Sequence, residues 1–189
     1  MHKRLLLNFF GGPGIGKTVA AADLFSALKK QHIECELPSE FARECVLEGN
    51  AAALKDQVYI LGNQYHKIRA AYGSNVITVV DSPILLCAIY GAHAGLPSSF
   101  RRLCIDLHNQ FDNINVLLGR SADYHHTMTG RAHSLTESLS VDKEIQLLLD
   151  EADVPYVFQS EIESNGKHLT DYLTGEILTY LNESEPAHA

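Results

Sequence analysis

The chain alternates short continuous apolar runs with longer stretches in which apolar residues recur every three or four positions. Residues 4–10, "RLLLNFF", form the first run, the pattern of a strand buried on both faces. Residues 18–30 read as a helix with Val19, Leu24, Ala27 and Leu28 on its apolar side. "IECEL" (33–37) predicts a short second strand, ended by Pro38-Ser39. A helix over 41–48 stops at Gly49-Asn50, and a long helix over 53–72 carries Val58, Leu61, Tyr65 and Ile68 at helical spacing. "NVITVV" (75–80) is the clearest strand. Helices near 84–93 and 98–110, a strand over 113–119, an amphipathic helix over 141–152, a strand over 154–159 and a helix over 168–182 complete the pattern.

Five strands alternating with helices predict an α/β fold, a mostly parallel sheet with helices on both faces, in one domain over 1–182. The tail 183–189 is expected to fray. Ligands in such sheets bind beyond the carboxyl ends of the strands, so the residues just after each strand carry the functional interest. Residues 120–140, "RSADYHHTMTGRAHSLTESLS" with its flanks, break the apolar periodicity. A long polar connection of this kind predicts a lid.

Composition narrows the classes. Of 189 residues 46% are apolar and 20% charged, a globular balance, and the formal net charge is −8. That charge argues against broad non-specific binding to nucleic acid or an anionic membrane, while leaving room for a local basic groove. The basic start and apolar run of "MHKRLLLNFFGG" resemble a signal peptide, but the run is too short and leads straight into a glycine-rich loop. No stretch is long and apolar enough to span a bilayer. Cys35, Cys45, Cys87 and Cys104 are scattered with no C-x-x-C pair, which suggests neither zinc nor disulfides and points to a reducing, cytoplasmic compartment.

Residues 11–18 read "GGPGIGKT" and fit G-x-x-x-x-G-K-[ST], the phosphate-binding loop, with a strand before and a helix after. Gly11, Gly12, Gly14, Ile15 and Gly16 supply backbone N–H groups for phosphate oxygens, and Pro13, which has none, is part of the same cofactor-binding loop. Lys17 is placed for the β- and γ-phosphates of ATP, and Thr18 for Mg²⁺. Asp81 directly follows the third strand, where a carboxylate can hold Mg²⁺; it equally fits a helix N-cap ahead of Pro83. Glu40 follows the second strand and can orient an acceptor hydroxyl or take its proton, with Arg43 one turn on as a partner or acceptor contact. The same spacing fits a surface ion pair. Arg120 and Arg131 flank the polar segment, which also holds Tyr124, and arginine forks suit the charge that builds up in phosphoryl transfer. Gln57, Asn63 and Gln64 could hydrogen-bond a nucleobase, or simply form a polar helix face. His125, His126 and His133 match no familiar zinc spacing.

Taken in order, "GGPGIGKT", "SEFARE", "DQVYILGNQYHKI", "VVDSPILL" and "YHHTMTGR" ahead of "VDKEIQLLLDEADVPY" resemble the small P-loop kinases related to nicotinamide riboside kinase domains and deoxynucleoside kinases. The likeness is strongest to phage-encoded members, some of which phosphorylate 5-hydroxymethyluracil within DNA. It runs from about residue 5 to about residue 158. It implies a P-loop NTPase fold of five parallel strands with a short lid at about 120–140. It also implies Glu40 or Asp81 as the acceptor-activating carboxylate and Arg131 on an arginine-bearing lid. Arg43, Gln57, Gln64 and Tyr124 are the candidate contacts to a nucleoside-like acceptor, which could be a modified base in DNA. A phage kinase would work in the host cytoplasm. An ATP-driven machine is the less favoured alternative at this length. A GTP switch lacks its N-K-x-D signature.

Overall fold

The computed structural model describes residues 4–120, 135–160 and 168–182. The five strands are β1 (Leu5–Phe10), β2 (Cys35–Glu36), β3 (Ile77–Val80), β4 (Asn113–Leu117) and β5 (Val157–Phe158). They form one sheet in the order β2-β3-β1-β4-β5, and every pairing is parallel. The helices are α1 (Lys17–Lys30), α2 (Phe41–Leu47), α3 (Ala51–Lys55), α4 (Gln57–Ser74), α5 (Leu86–His93), α6 (Ser98–His108), α7 (Leu135–Glu151) and α8 (Leu169–Asn182).

β1 lies at the centre and all six of its residues are buried. Leu5, Leu7 and Phe9 pack with Ala21, Leu24 and Leu28 of α1 and with Leu169, Leu173 and Ile177 of α8. Leu6 and Phe10 face the opposite core, built from α4, α5, α6 and α7 through Ile60, Ile68, Ile89, Phe100 and Ile145. The expected α/β architecture with helices on both faces is what forms. No helix among the described residues is long and apolar enough to cross a membrane.

Asn8 interrupts the apolar run of β1 yet is fully buried. Its Nδ2 donates to Asn113 Oδ1 and Asn115 Oδ1, each at 3.0 Å. Asn113 Nδ2 donates to the carbonyls of His108 and Phe111, and Asn115 Nδ2 to that of Pro155 at 3.0 Å. This ladder ties β1 to β4 and to the segment entering β5. It also fixes the register Asn8–Asn115. The amide's donors are thus matched, while its own buried Oδ1 has no partner among the described residues.

Three sequence expectations need correction. The helix over 53–72 is two helices, because Asp56 (φ −90, ψ 86) leaves the helical region and its carboxylate accepts from Tyr59 N at 3.0 Å, capping α4. The last long helix before β5 begins at Leu135 rather than 141, so it takes the end of the predicted polar lid. The periodicity was hidden because a buried position there is a serine, Ser138, beneath Val141 and Ile145. Val19 and Val58 are 65% and 57% exposed. Val19 lies about 140° round the helix from Leu24, off the buried stripe.

Asn8→Ala should cost about 1–3 kcal/mol in denaturant unfolding, because it strands the Asn113 and Asn115 acceptors. Leu103→Ala, at a residue 46% exposed, should change stability by no more than about 0.5 kcal/mol.

Candidate functional site

Parallel strands deliver their carboxyl ends to one edge of the sheet. The loop after β1 meets Glu40 after β2, Asp81 after β3 and Arg120 after β4 there. The loop leaves β1 at Gly11 and ends at Gly16, whose φ of 107° is left-handed and which caps α1. Nothing lies within 4 Å of a Cβ built there, so the glycine is required by backbone conformation rather than space. Lys17 folds back so that its Nζ donates to the carbonyls of Gly11 at 2.7 Å and Gly12 at 3.1 Å. Burial draws its ammonium below the ordinary value, against the opposing pull of Glu40, Asp81 and Asp142. Thr18 is exposed at the first turn of α1.

Asp81 is 8% exposed, and its Oδ1 is buried with no hydrogen-bond partner. It does not cap a helix: α5 starts at Leu86, behind a turn in which Leu86 N donates to Pro83 O at 3.0 Å. A buried carboxylate oxygen left without a donor is costly, and that cost favours a cation. Among the described residues no three His, Cys, Asp or Glu converge as a metal cluster. Mg²⁺ does not require one, since it binds through one or two carboxylates together with substrate phosphates. Asp81 is a carboxylate of that kind.

Glu40 is half-buried at the N-cap of α2 and makes no cap bond. Burial, and then the charge of Asp81, raise its carboxyl above the ordinary 4.5; Lys17 and Arg43 oppose this. The surface ion pair with Arg43 does not form; Arg43 is exposed, and α2 instead pairs through Glu44 with Lys67 at 2.5 Å. Lys67 also donates to Ser39 at 2.9 Å, which fixes the residue before Glu40. Gln64 fixes the residue after it, its Oε1 accepting from Phe41 N at 2.9 Å. Gln64 is 1% exposed and its Nε2 has no partner. Gln57 spends its Nε2 on Leu54 O at 2.8 Å. Tyr124 and Arg131 lie outside the described residues, as do the three histidines of the polar segment.

Three contributors were missed from sequence. Tyr90 and Cys87, one turn apart on α5, are both pushed up to about 12, mainly by burial, with Glu40 adding to each. Both therefore lie within electrostatic range of Glu40. Asp142 of α7 is the third. Its Oδ1 accepts from Gly12 N at 2.6 Å, and Arg120 Nε donates to its Oδ2 at 2.5 Å. Arg120 Nη2 also donates to Pro13 O at 3.0 Å. A single aspartate on an amphipathic helix carries no sequence signal that sets it apart from a solvated one.

A family model described as AAA domain matches residues 6–162. Among curated proteins none matches. Two solved structures of NadR protein share the fold. The one in complex with NR is 15% identical with a TM-score of 0.66, covering 100% of this chain and 54% of that chain. The one in complex with NAD and AMP-PNP is 14% identical with a TM-score of 0.68, covering 100% of this chain and 52% of that one. The chain thus spans about half the length of these NadR chains. A structure of APE1195 is 17% identical at a TM-score of 0.50, covering 96% of this chain and 98% of that chain.

The raised Glu40 carboxyl has a thermodynamic sign. The folded chain holds this proton more tightly than the unfolded chain, so the associated stability is full below the ordinary value of 4.5 and is lost as pH rises through the raised one. In metal-free buffer at neutral pH, Glu40→Gln should melt higher than the parent, by roughly one to a few degrees. The gain should vanish near pH 4. Thermal melts at the two pH values check this.

Proposed function

We propose that this chain, which belongs to the AAA domain family, is a kinase that moves the terminal phosphoryl group of ATP onto a hydroxyl of a nucleoside-like acceptor. The observation that carries this reading is Glu40, a half-buried carboxylate held above its ordinary pKa at the mouth of the phosphate loop. An ATPase would use such a group to position the attacking water, and the labelling assay below separates the two uses. A transferase needs one to receive the acceptor's proton, and a raised value brings it nearer the working pH.

In this reading the loop amides and Lys17 hold the donor phosphates, with Lys17 exchanging the carbonyls of Gly11 and Gly12 for phosphate oxygens. Thr18 and Asp81 would hold Mg²⁺, which neutralises phosphate charge when bound. The acceptor oxygen forms a bond to the γ-phosphorus as the bond to the β-phosphate oxygen breaks. Glu40 takes the hydroxyl proton. Arg120, with Arg131 from the polar segment, stabilises the charge on the group in transit. Cys87, Tyr90, Arg43, Gln57, Gln64 and Tyr124 are the candidate acceptor contacts.

Ligands of the NadR structures support a small acceptor, since NR is held in one and NAD with AMP-PNP in the other. The hydroxymethyl group of 5-hydroxymethyluracil in DNA belongs to the same reaction class. A net charge of −8 works against the phosphate contacts that DNA would demand.

Incubation with γ-labelled ATP, a panel of nucleosides that includes nicotinamide riboside, and DNA with or without hydroxymethyluracil tests this directly. Label should move to a small acceptor, and Lys17→Ala should reduce transfer by about a hundredfold or more. Label released only as free phosphate, whatever the acceptor, would contradict a kinase.

A further inference from the structure

The contact between α7 and the phosphate loop is closer than packing requires. A Cβ on Gly12 would lie 2.6 Å from Asp142 Oδ1, 2.7 Å from Ser138 O and 3.2 Å from Arg120 Nη2. Glycine at this position therefore makes room for α7, and Ser138 is fully buried in the contact. β4 and α7 reach the loop from separate parts of the chain. There Arg120 and Asp142 meet, with side chains only 9% and 22% exposed.

We propose that Asp142 is a positioning residue that aims the Arg120 guanidinium at the terminal phosphates of a nucleotide held by the loop. This rests on reading that loop as the nucleotide site. Asp142 is itself fixed, because its Oδ1 accepts from the Gly12 amide at 2.6 Å. It then grips Arg120 along two edges, with Nε to Oδ2 at 2.5 Å and Nη2 to Oδ1 at 3.3 Å. Such a forked pair fixes the plane of the guanidinium as well as its place. The Nη2 bond to Pro13 O, at 3.0 Å, holds that plane against the loop. A free arginine carries about 2 kcal/mol of side-chain rotamer entropy, which the pair has already removed before any phosphate arrives. Asp142 also favours the charged form of Lys17, while Arg120 opposes it, so all three groups share one electrostatic field.

The role is selective. Arg120 aimed at the terminal phosphate adds to the binding of a triphosphate and adds little to that of a diphosphate. A plain structural brace would support both alike.

The experiment measures binding of Mg-ATP and Mg-ADP by calorimetry, with a melting temperature for each variant. Asp142→Asn keeps an oxygen for the Gly12 amide and loses the charge pair. It should weaken ATP binding by roughly tenfold and ADP binding by less than about threefold, the size of one coupled pair. Arg120→Ala should show the same selective loss, and the double variant no further loss. Asp142→Glu should recover part of the ATP affinity. Arg120→Lys, which keeps the charge without the fork, should also lose ATP selectively, and serves if the Asp142 variants fold poorly. Equal loss of ATP and ADP, or additive losses in the double variant, would overturn the proposal. Tighter ATP binding by Asp142→Asn would also overturn it, since the carboxylate would then be competing with phosphate for Arg120. Wild-type protein that binds neither nucleotide would overturn the reading of the loop itself, and this proposal with it.

Discussion

Strand β1 answers two demands that pull against each other. It must be buried on both faces to seat the sheet, and the loop that leaves it must carry few side chains of its own, so that groups from outside can reach its backbone. Burial is met by Leu5, Leu7 and Phe9 on one face and Leu6 and Phe10 on the other, with Asn8 locking the register to β4. Bareness is met by glycine. The loop is held from outside by groups that touch its backbone, Lys17 on the carbonyls of Gly11 and Gly12 and Asp142 on the amide of Gly12. Because the strands are parallel, the residues following β2, β3 and β4 all arrive at this loop.

That convergence sets an electrostatic problem. Three carboxylates, Glu40, Asp81 and Asp142, stand around two cations, Lys17 and Arg120, in a partly dehydrated space. Asp142 is satisfied by Arg120 and the loop. Asp81 keeps a buried oxygen without a donor, and Glu40 is driven toward its neutral form. Such a site is poorly satisfied alone and gains when a cation and a phosphate chain enter together. Local instability of this kind is common where structure serves chemistry.

The readable part of the molecule was the part governed by strong local rules. Continuous apolar runs marked β1 and β3 because a parallel strand is covered on both sides, and the glycine spacing marked the loop because few other sequences allow its turns. Asp81 and Glu40 were locatable because a strand end fixes their place, although spacing alone could not decide between a cap or an ion pair and a functional role. The rest depended on distant contacts. Asp56 split a helix by capping its second half, which apolar periodicity does not register. Ser138 and Asp142 are polar residues on a helix that apolar patterning delayed to 141, and only the meeting of β4 with α7 gives them meaning. Gln64 read as a nucleobase contact or as part of a polar helix face, and periodicity could not show that it is buried with its Oε1 on the backbone beside Glu40.

At the centre of this account is a separation of labour, in which the loop binds the donor and Glu40 serves only the acceptor. The most direct measurement compares Mg-ATP affinity with single-turnover transfer rate in the parent protein and in Glu40→Gln. The expected result is unchanged affinity with a rate lower by about a hundredfold or more, the usual contribution of a general base. A variant that transfers at the parental rate, or that loses affinity and rate in equal measure, would contradict it.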